Sequence, residues 1–238
     1  MREGCGEHKP LVILGTGVLS RLATSYFRSA GRVIAAYTEE ASTPRPGPAL
    51  GAPVVPLAGL GQTHPAQDYE LFVAVGNRNL NTVRQRLVAL ARSRGYTLAS
   101  FIHPTACVSP EAVIGGNCLV LEHCTVGPFA SVGEGSLLFA GSLVNHDCSL
   151  GSCCYLSAAL LGGFVHIGER SFLGINATVR DSVRIGSDCL IGAGALVLDD
   201  VPPETFIKAQ ASQMRPLIRE KAFQFGAESS GQAQGGTK

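Results

Sequence analysis

An aliphatic residue recurs every six positions through the second half of this chain, and few folds are compatible with that period. The first run is Val108, Ile114, Val120, Val126, Val132, Leu138, Val144, Leu150 and Leu156. The count then slips by one residue, and a second run follows: Leu161, Ile167, Leu173, Val179, Ile185, Ile191 and Val197. Glycine comes directly after the aliphatic at nine of these positions, among them 114, 126, 161 and 173. Neither helical spacing nor simple strand alternation produces such a pattern. A hexapeptide period is the signature of a parallel β-helix, in which short strands stack coil upon coil. Three hexads close one triangular coil, and each repeated aliphatic points into the prism.

The position four residues after the aliphatic supports the same reading. It holds Ala112, Cys118, Cys124, Ala130, Ser136, Ser142, Cys148 and Cys154, then Ser171, Ala177, Cys189 and Ala195, with Val183 as a bulky exception. Small side chains are expected there because the chain turns a tight corner around them. Five of the eight cysteines occupy this slot, so they read as small buried hydrophobes. Cys107, Cys118 and Cys124 form no CxxC pair, and adjacent Cys153 and Cys154 make poor zinc ligands, so no metal is expected. The N-terminal MREGCGEHKP lacks the apolar core of a signal peptide, and no apolar run reaches membrane-spanning length. Reduced thiols and a cytoplasmic location are the expectation. A net charge of +1 over 238 residues gives no global field to recruit nucleic acid or an anionic membrane.

The chain divides into three parts: 1–103, a small α/β domain; 104–200, the β-helix; and 201–238, a C-terminal extension. In the first part a strand at Leu11–Leu14 meets the turn Gly15-Thr16-Gly17, and helical sequence follows to about Ala30. Further strands are predicted at 33–37 and 71–75, a helix at 80–94, and a surface loop over the breaker-rich TPRPGPALGAPVVP at 43–56. The extension carries a short helix predicted at 214–225 and a tail, ESSGQAQGGTK, of disordered composition. The strand–GTG–helix unit matches only the first half of a dinucleotide fingerprint, with Ser20 at the third glycine position and no acidic residue read at the end of the second strand. Either it is a plain tight turn, or it holds the phosphates of a single nucleotide near the amides of Gly15 to Val18.

Six histidines are the candidate bases. His8 and His64 lie in terminal or Pro-rich sequence, His103 precedes a proline at the domain junction, and His123 and His166 read as surface residues on coil faces. His146 differs in its company: it stands between Asn145 and Asp147, and a carboxylate beside an imidazole fixes its tautomer and raises its basicity. Gly162-Gly163 follows about one coil later, just after the hexad slip, and is either a corner irregularity or a presented backbone N–H for an oxyanion. His123, His146 and His166 are spaced by 23 and 20 residues, which does not stack three ligands as a β-helix carbonic anhydrase requires.

Taken together, Phe72-Val73-Ala74-Val75-Gly76-Asn77, Ile102-His103-Pro104, Asn145-His146-Asp147 and Phe172-Leu173-Gly174-Ile175-Asn176 carry a family resemblance. The chain resembles the bacterial sugar acyltransferases that join a Rossmann-like nucleotide-sugar domain to a left-handed parallel β-helix. These include N-acetyltransferases of nucleotide-linked 4-amino sugars and sialic-acid O-acetyltransferases. The resemblance implies a homotrimer with its active site in the groove between neighbouring prisms. It implies His146 as general base, Asp147 as its carboxylate partner, and Gly163 as the N–H that meets the thioester carbonyl. Acetyl-CoA would run past Gly163, Gly174, Ile175 and Gly192, and the nucleotide amino sugar would use Gly15, Gly17, Gly76 and Asn77. This sequence departs from the family at Leu19-Ser20-Arg21, Phe139, Tyr155 and Lys208-Ala209-Gln210-Ala211. Acylation of a sugar hydroxyl, or a non-catalytic trimeric scaffold, are the alternatives to N-acylation.

Overall fold

A computed structural model describes residues 8–40 and 51–210; the helix expected at 214–225 and the tail lie outside them. The first unit is a five-stranded parallel sheet. Its elements are β1 (Leu11–Leu14), α1 (Val18–Ser29), β2 (Ile34–Glu39), β3 (Val54–Pro56), α2 (Leu60–Thr63), β4 (Glu70–Val73), α3 (Thr82–Ser93) and β5 (Thr97–Leu98). The strand order is β3-β2-β1-β4-β5. The order reverses between β1 and β4, which makes the carboxyl ends of those two strands the crevice where doubly wound sheets bind ligands.

Three local expectations are corrected. The 43–56 stretch is not loop to its end, because the apolar pair Val54-Val55 joins β2 as a parallel edge strand and Pro56 closes it where no further ladder bond is required. β2 runs on to Glu39, paired with Pro56, so an acidic residue does stand at the end of the second strand. The predicted helix start at 80 gives way to three left-handed residues, Asn79, Leu80 and Asn81 (φ 45°, 46° and 66°), and α3 begins only at Thr82. Asn81 is held there by its amide donating to the Arg170 carbonyl (2.9 Å) and its oxygen accepting from Arg84 (3.0 Å).

From Phe101 onward the chain winds a left-handed prism with three faces. The docked face holds seven strands from Phe101–Ile102 to Phe206–Ile207, the second face six from Cys107–Val108 to Leu196–Val197, and the third face five from Val113–Ile114 to Arg184–Ile185. All pairings are parallel and in register, each aliphatic above its equivalent one coil earlier, as Val126 pairs with both Val108 and Val144. The repeated aliphatics and the small corner residues form one core, including Cys118, Cys124, Cys148, Cys154 and Cys189. Burial pushes the Cys118 and Cys154 thiols up to about 12. The seven described cysteines are free. The hexad slip is absorbed where Ala159 takes the corner slot three residues after Leu156.

The docked face is covered by the α/β unit. Its outward Phe101, Leu119, Leu121 and Leu137 join Leu11, Ile13, Ala23, Phe27 and Phe72 in a shared core, and each such side chain, once fully buried, contributes about 1.5–3 kcal/mol. Polar ties fix the register between the units. Asn117 accepts from the Val73 amide (2.6 Å) and donates to its carbonyl (3.2 Å), standing in for a missing strand neighbour. Fully buried Arg84 donates to the carbonyls of Val75 (3.1 Å) and Cys153 (3.1 Å). The α/β unit and the prism therefore meet through both apolar and hydrogen-bonded contacts.

Candidate active site

The prism edge between the second and third faces turns through Gly127-Pro128-Phe129, Asn145-His146-Asp147, Gly162-Gly163-Phe164 and Arg180-Asp181-Ser182 on successive coils. The last residue of each of these turns is left-handed, with φ 60°, 55°, 59° and 65°. Phe129 and Phe164 adopt that conformation despite their bulk, so the coil geometry, not residue preference, sets the corner. Stacking follows from the inter-coil bonds Asp147 N–H to Pro128 O, Phe164 N–H to His146 O and Ser182 N–H to Gly163 O. Pro128, His146, Gly163 and Asp181 thus form one column.

Within that column Gly163 has no side chain, and the neighbours on either side fill the gap. The His146 ring lies over it so closely that a Cβ at 163 would sit 2.7 Å from Cε1 and 2.8 Å from Nε2. His146 Nδ1 donates to Asp147 Oδ2 at 3.0 Å, which leaves Nε2 as the basic nitrogen. The Phe164 ring meets the imidazole edge-on, centroids 5.0 Å apart at 87°. His146 and Asp147 side chains remain 45% and 40% exposed, so a solute can reach the imidazole. The Gly163 N–H does not face open solvent: it donates to Asp181 Oδ1 at 2.6 Å.

The other candidate residues fall elsewhere. Gly174, Ile175 and Gly192 lie on the edge between the docked and second faces, one edge away from His146. Ile175 is exposed, and the glycines allow the coils to touch, since a Cβ at Gly174 would meet the Ala193 nitrogen at 2.6 Å. Gly15 and Gly17 follow β1 and Gly76 and Asn77 follow β4, so both turns sit at the reversal of strand order. Gly15 is required by the close approach: its φ is +121° and a Cβ would meet the Ala74 carbonyl oxygen at 2.8 Å. Gly17 caps α1 with no side-chain hydrogen bond, and while the Ser20 amide donates to the Gly17 carbonyl (3.1 Å), the Val18 and Leu19 amides at the helix start are the ones that can face an anion. Thr16 in that turn donates to Glu39 Oε2 (3.0 Å), so an acidic side chain borders the crevice. The single chain therefore brings His146, Asp147 and Gly163 together, groups the two N-terminal turns, and leaves these sets apart.

Sequence reasoning missed Asp181, Glu39 and Arg84. Asp181 had a usable signal, since it follows Gly163 by one full coil of 18 residues. Arg84 had none, because a lone basic residue on a helix reads as solvated. Among the described residues no three His, Cys, Asp or Glu side chains converge as a metal site, and no helix is long and apolar enough to cross a membrane.

Comparison with known proteins gives a consistent pattern. The family described as bacterial transferase hexapeptide (six repeats) matches residues 164–199. A mutant GDP-perosamine N-acetyltransferase from Caulobacter crescentus, solved with CoA and GDP-perosamine, is 35% identical over 83% of this chain and 92% of that one, with a TM-score of 0.75. The acetyltransferase domain of PglB from Neisseria gonorrhoeae, solved with acetyl coenzyme A, is 28% identical over 84% of this chain and 95% of that one, with a TM-score of 0.74. WeeI from Acinetobacter baumannii, at 19% identity, 83% and 95% coverage and a TM-score of 0.61, shares the fold.

Proposed function

Because the chain belongs to the bacterial hexapeptide-repeat acyltransferases of nucleotide-linked amino sugars, we propose that it moves an acetyl group from acetyl-CoA to the sugar amine of a nucleotide sugar, with His146 as general base. The observation that carries the base assignment is the Nδ1–Asp147 bond (3.0 Å) with Nε2 turned to the Gly163 gap. GDP-perosamine, which the Caulobacter enzyme holds in its structure, is the acceptor of first choice.

The acceptor amine attacks the thioester carbon as Nε2 removes its proton. Negative charge builds on the carbonyl oxygen, and the Gly163 N–H is the backbone donor we assign to it. Collapse expels CoA thiolate, which takes the proton back from the imidazolium. Base assistance is worth about 10²–10⁴-fold, and one oxyanion donor about 10²–10³-fold.

The nucleotide sits at the crevice of Gly15, Gly17, Gly76 and Asn77, its phosphates on the α1 amides and its ribose toward Glu39. That crevice belongs to the unit covering the docked face, whereas His146 occupies the opposite edge of the prism. The separation of the two supports a site completed by neighbouring copies, with the acceptor and the CoA stretch along Gly174, Ile175 and Gly192 supplied across the groove of a homotrimer. The reaction takes place in the cytoplasm, where acyl-CoA donors occur and free thiols stay reduced.

Incubation with acetyl-CoA and GDP-perosamine should release CoA and yield the N-acetylated sugar by mass. His146→Ala should lower kcat by about 10²-fold or more while CoA binding by calorimetry persists. Near-normal turnover in that variant overturns the base assignment, and a wild-type protein that neither binds CoA nor acylates overturns the function.

A further inference from the structure

The column that holds His146 contains a second ionisable group that the reaction as written does not use. Asp181 stands two coils beyond His146 with only Gly163 between them, and its Oδ1 accepts the Gly163 N–H at 2.6 Å. That amide is the donor assigned to the thioester oxygen. An N–H makes one strong, well-aligned bond at a time, so it cannot serve Asp181 and the thioester together. The carboxylate also carries a charge of the sign that develops in the transition state.

The local sequence is shaped to admit this contact. At Gly162 a Cβ would lie 2.1 Å from Asp181 Oδ1, so the carboxylate rests in space that any other residue would fill. Gly163 itself is buried, covered by the His146 ring and the Asp181 side chain, whereas Asp181 is exposed. An exposed side chain over a buried donor can swing into water at the cost of one hydrogen bond and expose the amide. Each half of the glycine pair thus has its own occupant, Asp181 over Gly162 and His146 over Gly163.

We propose that Asp181 is a displaceable cap on the oxyanion donor, a positioning residue that the incoming acyl thioester must turn aside before Gly163 can bind its carbonyl oxygen. The cap keeps the buried amide satisfied in the free enzyme and sets the apparent affinity for the acyl donor. This rests on the acyl-transfer reading above, and its test therefore includes a readout that needs no turnover.

Asp181→Ala removes the cap. Because a charge-assisted hydrogen bond no longer has to be broken, the KM for acetyl-CoA should fall by about tenfold with the KM for the nucleotide sugar unmoved. Asp181→Asn keeps an acceptor oxygen without the charge and should fall between the two. In 15N-labelled protein the Gly163 amide proton should resonate downfield in the wild type and upfield in Asp181→Ala. Acetyl-CoA added to His146→Ala without an acceptor, so that no turnover occurs, should shift it as well. A KM for acetyl-CoA that is unchanged or raised in Asp181→Ala overturns the cap, as does a Gly163 amide resonance indifferent to that substitution. If the wild type fails to acylate while the amide resonance responds to Asp181, the contact stands and the acyl-transfer reading fails instead.

Discussion

Replacing Gly163 with alanine tests the site at the point where sequence, packing and chemistry meet. The backbone there is not in the left-handed region, so alanine adds no conformational strain. The new Cβ would sit 2.7 Å from His146 Cε1 and 2.8 Å from Nε2. Ordinary carbon contacts begin near 3.4 Å, so the imidazole must retreat by about 0.6–0.7 Å, a sizeable part of the ~1 Å misplacement that costs a reacting group about 10²-fold. The shift also stretches the 3.0 Å bond from Nδ1 to Asp147. The ring is 45% exposed and moves into water, so the fold should lose less than about 0.5 kcal/mol. Gly163→Ala should therefore lower kcat by about 10–100-fold while urea unfolding hardly changes. Gly162→Ala provides the contrast, because its Cβ meets the Asp181 nitrogen at 2.7 Å and Cα at 3.0 Å. Those are backbone atoms of the next coil, so this variant should lose about 3 kcal/mol or more. Thiol release with acetyl-CoA and GDP-perosamine gives the rates. A Gly163→Ala enzyme within threefold of wild-type kcat, or as unstable as Gly162→Ala, would refute the reasoning.

Two further outcomes follow from the core and the junction. The Cys118 and Cys154 thiols, raised to about 12 by burial, stay neutral in the fold while the unfolded chain ionises its thiols from about 9. Their stabilising effect is thus complete below about pH 9 and is lost as the pH climbs toward 12, by about 1.4 kcal/mol per pH unit for each thiol. Urea unfolding under reducing conditions at pH 8 and pH 10 should show the drop, and Cys118→Ala should flatten it. Arg84→Met should cost about 3 kcal/mol or more, because the Val75 and Cys153 carbonyls and the Asn81 amide oxygen lose a buried donor. Differential scanning calorimetry with melting unchanged by that substitution would show that the junction does not depend on it.

Much of the site was legible because a β-helix converts sequence spacing directly into spatial stacking. Once the period and the slip between Leu156 and Leu161 are read, His146 and Gly163 must lie on one edge, and Asp181 is the next residue in their column. The α/β unit was less transparent. The end of β2 at Glu39 and the edge strand at Val54–Pro56 depend on pairing between segments whose composition reads as loop. The left-handed run at Asn79, Leu80 and Asn81 hides a helix start because one of its anchors, the Arg170 carbonyl, lies in the other unit, and the other, Arg84, reads from the sequence as a solvated helix residue.

The sequence by itself determined the prism, its inward aliphatics, its small corners and the imidazole at one edge, since a strict six-residue period leaves each side chain only one direction. Tertiary structure decided what surrounds those groups. It placed the α/β unit on the docked face, opposite His146, and closed Asp181 over the Gly163 amide. Those outcomes depend on which apolar face covers which, and on how far a side chain reaches across a glycine. Neither distance is encoded in a repeat.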